Sequence, residues 1–153
     1  MMKKTVWIVV ANRAVARLFR ASQPLGPLEE MDSFIHPEGR LPEHELVSDR
    51  AGRGLERMGV GGYAEDQDTT VAAHETASFA LELSRFLQKA RTAGQFDALV
   101  LIAAPAFLGA MRERLDGSTR GRVTLEVDKN LVHLDAAAIR GYLPERLYSG
   151  VAA

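Results

Sequence analysis

Thr5-Val-Trp-Ile-Val-Val-Ala11 decides how the rest of the chain is read. From Val6 onward every position is apolar, and most are β-branched or aromatic. A strand with one wet face alternates apolar and polar residues. An unbroken apolar run instead fits a central strand covered by helices on both sides. Phe96 to Ala104 is a second strand of the same kind, and Pro105 then suits the first position of a helix reaching Leu115.

Outward from these two strands the pattern fills in. Asn12-Arg13 can turn the chain, because Asn tolerates positive φ. Val15 to Arg20 reads as a second strand, with Leu18 opposite in face to Arg17 and Phe19. Gln23 to Pro27 is a turn, and Leu28 to Ile35 a third strand whose Glu29, Glu30 and Asp32 point to exposure. Phe79, Ala80, Leu83, Phe86, Leu87 and Ala90 recur at helical spacing, a stripe that begins near Val71 and that Gly94 ends. Asp116-Gly117-Ser118 is a turn, and Val123 to Val127 alternates as a strand. Asp135 caps a helix to about Tyr142. The order is β-β-β-loop-α-β-α-β-α. It predicts one α/β domain over residues 1–153, a mixed sheet of about five strands flanked by helices.

The 153 residues carry 19 basic and 20 acidic side chains and no cysteine, which excludes disulfides, cysteine-held metal clusters and thiol nucleophiles. A net charge of −1 is not the global footprint of a nucleic-acid binder. Neither the Val6–Ala11 run nor the Ala98–Met111 stretch, broken by Pro105 and Gly109, is long enough for a signal core or a membrane span. The expectation is a cytoplasmic protein with no membrane insertion.

Residues 36–70 differ in character. They hold six of the 13 glycines, eight acids and four arginines, with no sustained apolar period. A connection this long inside a domain is either functional or mobile. Within it Arg50, Arg53 and Arg57 are interleaved with Gly52 and Gly54, a pattern that can grip phosphates, although Asp49 and Glu56 can neutralise it. His36, Glu38, His44, Glu45 and Asp49 offer oxygen and nitrogen donors, so His36, His44 and Asp49 are candidate metal ligands set against the plainer reading of a solvated acidic loop. Lys3, Lys4, Arg13, Arg17 and Arg20 form one basic group and Arg112, Arg114, Arg120 and Arg122 another. Were they to share a face, they would make an RNA-backbone surface despite the neutral total. Trp7, Phe79 and Phe86 read as core, whereas Tyr63, beside Gly61-Gly62, has no evident core role.

No catalytic motif is present. His74-Glu75 lacks a second histidine four residues on, and the glycine clusters at 52–54 and 59–62 do not follow a strand and open a helix as a dinucleotide fingerprint does. There is no Gly-x-Ser-x-Gly elbow and no Walker A loop. No cofactor is expected.

Trp7-Ile-Val-Val-Ala-Asn-Arg13, Ala16-Arg-Leu-Phe19, His36-Pro-Glu-x-Arg40 and Glu45-Leu-x-Ser-Asp-Arg-x-Gly-Arg53 resemble the bacterial host attachment protein family. Ala104-Pro-x-x-Leu-Gly-x-x-Arg112 and Glu126-Val-Asp-Lys-Asn-Leu131 complete the pattern, with Asn130 where an acid is expected and Ala51 where proline is. That family is similar, more distantly, to the middle domain of archaeo-eukaryotic translation release factors, which implies a mixed sheet flanked by helices. In those factors the loop before the long helix carries Gly-Gly-Gln. The corresponding place here reads Gly61-Gly62-Tyr63, and a tyrosine cannot give a hydrolytic water the same compact amide environment.

The resemblance therefore implies a non-enzymatic binding module. It would contact the ribosome or other structured RNA through the 36–70 loop, with Arg50, Arg53, Arg57, Arg13, Arg17, Gly61, Gly62 and Tyr63 as candidate contacts. An attachment protein acting through a protein partner is the alternative, and a metal-dependent hydrolase built on His36, His44 and Asp49 a further one. A homo-oligomer is left open.

Overall fold

The structure is a computed structural model describing residues 4–35 and 61–148, with side chains from residue 71 in the second segment. Five strands form one open mixed sheet: β1 Val6–Ala11, β2 Val15–Ala21, β3 Glu29–Ile35, β4 Ala98–Ala103 and β5 Val123–Val127. Their order across the sheet is β3-β2-β1-β4-β5. β1 pairs antiparallel with β2 and parallel with β4; β2 and β3 are antiparallel, β4 and β5 parallel. The two apolar strands are thus neighbours at the centre, and every residue of both is buried. The sheet edge at β3 exposes Glu29, Glu30 and Asp32, charges that discourage further strand pairing.

Among the described residues four helices accompany the sheet: α1 Gly61–Thr92, α2 Pro105–Arg114, α3 Gly117–Arg120 and α4 Ala136–Arg140. α1 and α2 cover one face of the sheet, burying Trp7, Val9, Leu18, Leu99 and Leu101 against Phe79, Leu83, Leu87, Phe107 and Met111. Trp7 lies 5.0 Å from Phe96 and 6.2 Å from Phe86 between ring centroids, so these aromatics are core, as their spacing implied. The other face buries Val6, Ile8, Val10, Phe19, Val100 and Ile102 beneath Leu131, Ile139 and Leu143. Helices on both faces were expected; here the second cover is the short α4 and the irregular chain around it. Two arginines hold that cover down. Arg17 pairs with Glu30 at 2.9 Å and donates to the Val132 and Leu134 carbonyls, while Arg140 donates to the carbonyls of Gly26, Pro24, Pro144 and Glu145.

Three local details depart from the sequence reading. α1 begins at Gly61, ten residues before Val71, where the sequence starts to show a helical pattern. The 116–118 turn continues into α3, whose first turn is capped by the Asp116 carboxylate accepting from the Thr119 amide. Asn12 turns the chain without positive φ, which among the described residues only Gly94 adopts. Its Oδ1 instead accepts from the Ala14 and Val15 amides at 2.8 and 2.9 Å, a side chain standing in for a turn of backbone.

Candidate functional site

The strand order creates a break at the middle of the sheet. β1 leads away to β2 on one side, and β4 leads through α2 to β5 on the other. Between two parallel strands whose connections diverge, a crevice opens beyond their carboxyl ends. A cleft of about 810 Å³ occupies that place. Asn12, Arg13 and Ala14 line it after β1; Ala104 to Phe107, Gly109, Ala110 and Glu113 line it along α2. Ala72, Ala73, Thr76 and Ala77 of α1 form a facing wall, and Asn130 closes one side.

The lining follows from local sequence. α1 and α2 both run back along the sheet from this end, so α1 passes the cleft at Ala72–Ala77 and α2 starts beside it at Pro105. The α2 residues at its wall, Ala106, Gly109, Ala110 and Glu113, share one helical face opposite buried Phe107, Leu108 and Met111. Asn12 Nδ2 reaches Asn130 Oδ1 at 3.4 Å, linking the β1–β2 turn to the segment after β5. The cleft therefore combines small, flat walls with an arginine, two amides, a threonine hydroxyl and one carboxylate, a set suited to holding and orienting a ligand.

A family model described as protein required for attachment to host cells matches residues 7–143. The chain belongs to that family. The matched span takes in every residue of the cleft. No curated protein matches this host-attachment family member.

Of the candidate contacts, Arg13 stands at the cleft. Arg17 does not: its hydrogen bonds to Glu30 and the Val132 and Leu134 carbonyls place it on the α4 side, and the bond to Glu30 strengthens its hold on its proton while holding the Glu30 carboxyl below the usual range. Gly61, Gly62 and Tyr63 form the first turn of α1 and not the loop before it. Arg50, Arg53 and Arg57, and the metal candidates His36, His44 and Asp49, lie outside the described residues. Among the described residues no group of three or more His, Asp or Glu is placed to hold a metal ion, and no helix is long and apolar enough to cross a membrane.

The first basic group is dispersed over the fold, and Arg112 of the second is held in an ion pair. Lys4 and Arg13 flank opposite ends of β1, Arg17 lies under α4, and Arg112 sits on α2 paired with Glu126 at 2.6 Å. Sequence reasoning missed the cleft's Glu113, Thr76, Asn130 and Gly109. Divergent connections at the ends of two parallel strands were the signal for it, and that required the strand order.

Proposed function

We propose that this host-attachment family member is a non-enzymatic binding module that engages structured RNA, the ribosome included, in the cytoplasm. The observation that carries the reading is the position of Arg13 at the cleft, on the sheet end where the described chain leaves β3 at Ile35. The chain comes back at Gly61, about 16 Å along α1 from the cleft residue Ala72. The residues between carry Arg50, Arg53 and Arg57 in sequence, and together with Arg13 these are the proposed phosphate-contacting set. Guanidinium groups suit phosphates.

The test is RNA binding by the purified protein, and its co-sedimentation with ribosomes, across a salt series. Four phosphate contacts predict a log–log slope of about −3 to −4, reduced by about one in Arg13→Ala and further in an Arg50/Arg53→Ala variant. Binding that ignores salt, or the loss of all four arginines, would refute the proposal.

A second reading, attachment through a protein partner, draws on exposed Leu25 and Tyr142, within two residues of the contacts by which Arg140 binds Pro24 and Gly26. Recovery of the protein outside the cytoplasm, bound to a partner that Leu25→Asp releases, would favour it.

A further inference from the structure

Gly109 sits inside α2 at ordinary helical φ, since the one positive-φ glycine among the described residues is Gly94. A glycine in mid-helix weakens the helix relative to alanine, so it calls for a reason. Packing supplies none: a Cβ built on Gly109 meets no atom within 4 Å. The space it would enter is the cleft.

We infer that the cleft is a nucleotide site, in which one nucleotide lays its flat part over the bare backbone at Gly109. Its phosphate turns toward Arg13 and the two asparagine amides, and the donors of its base edge turn toward Glu113. Three observations support this occupant. The cleft, at about 810 Å³, is in the range of organic-ligand sites and far larger than a lone phosphate needs. Its charged groups come from different elements, Arg13 from the β1–β2 turn and Glu113 from the second half of α2. Along that helix the cleft wall runs about 10 Å from Ala106 to Glu113, long enough to lie beside a nucleoside monophosphate. The walls between are alanines and Gly109, which leave room for a ring. A peptide adding as a strand would need an unpaired strand edge, and β1 and β4 are both interior strands.

The inference deepens the RNA reading and shares Arg13 with it, but the nucleotide is either free or one unit of a chain. Calorimetric titration with 5′-AMP, adenosine, inorganic phosphate and a short single-stranded RNA separates these cases. The expected result is saturable AMP binding, with adenosine and phosphate each weaker by roughly tenfold or more, because each lacks one end of the ligand. Gly109→Leu fills the cleft and should cut AMP affinity by roughly twentyfold or more at an unchanged or raised Tm. Gly109→Ala, which adds one methyl group, guards against misfolding and should lose severalfold, as should Glu113→Gln.

AMP binding sensitive to Gly109→Leu, with no RNA binding, would uphold the nucleotide site and remove the RNA reading. RNA binding indifferent to Gly109→Leu, with no saturable AMP binding, would do the reverse. No saturable AMP binding, or AMP binding untouched by filling the cleft, would overturn the inference.

Discussion

Replacing Arg140 with methionine tests how the second face of the sheet is held. The side chain keeps its apolar stem and loses its fork of donors. In the native fold Nε donates to the Gly26 carbonyl at 2.9 Å, Nη1 to Pro144 at 2.8 Å, and Nη2 to Glu145 at 2.7 Å and Pro24 at 3.4 Å. The Pro144 and Glu145 contacts are exposed, so water replaces them at little net cost. The Gly26 and Pro24 contacts are partly buried, and Pro24 keeps a second donor in the Leu147 amide at 2.9 Å. Hydrogen bonds from a charged donor contribute about 1.5–3 kcal/mol each, so the loss should be about 2–4 kcal/mol in all. For a domain of this length that is a fall in Tm of roughly 5–12 °C. Urea unfolding followed by tryptophan fluorescence reads it through Trp7, buried in the opposite core. Arg140→Lys should recover only part, because an ammonium cannot bridge the 24–26 and 144–145 segments as a planar fork does. An Arg140→Met protein within about 0.5 kcal/mol of wild type would show that the clamp is incidental and that apolar burial alone holds α4 in place.

Two further tests follow from the same geometry. Arg17 depresses the Glu30 pKa, so the pair's contribution is complete above the ordinary glutamate range and disappears as pH falls through the lowered folded value. Acid unfolding of Glu30→Gln should therefore show a shallower pH dependence there, while Arg17→Met should cost more at neutral pH because the Val132 and Leu134 carbonyls lose their donor too. Gly94 and Gly109 form a matched pair for thermal denaturation. A methyl group meets nothing at either, but Gly94 has φ 71°, so Gly94→Ala should destabilise by about 1 kcal/mol and Gly109→Ala stabilise by about 0.5–1 kcal/mol. Equal signs for the two would contradict the conformational argument.

The central strands were legible because burial on two faces leaves no polar position, a pattern that survives without knowledge of the neighbours. The Asp135 cap was legible for a similar reason: a carboxylate before three alanines can satisfy the Ala138 amide locally, and it does so at 2.8 Å. The first ten residues of α1 were not, since they carry no sustained apolar period to mark a helix. Arg17 shows where charge counting fails. Five positive charges without an acid over residues 1–28 suggested a phosphate surface, yet Glu30, just beyond that window, is in register with Phe19 on the adjacent strand and pairs with the Arg17 guanidinium. The cleft depends on which strands are adjacent, a long-range fact no local window contains.

The Lys4 ammonium lies 5.5 Å from the centre of the Tyr148 ring, so the two ends of the described chain meet at one corner, beside the start of β1. The cleft opens beyond the other end of that strand, about 20 Å away. A surface anchor, fluorophore or fusion partner attached near either residue therefore leaves the cleft facing outward. The same neighbourhood means a short linker could join these ends and a new opening be cut elsewhere, keeping the order of strands while changing where the chain starts.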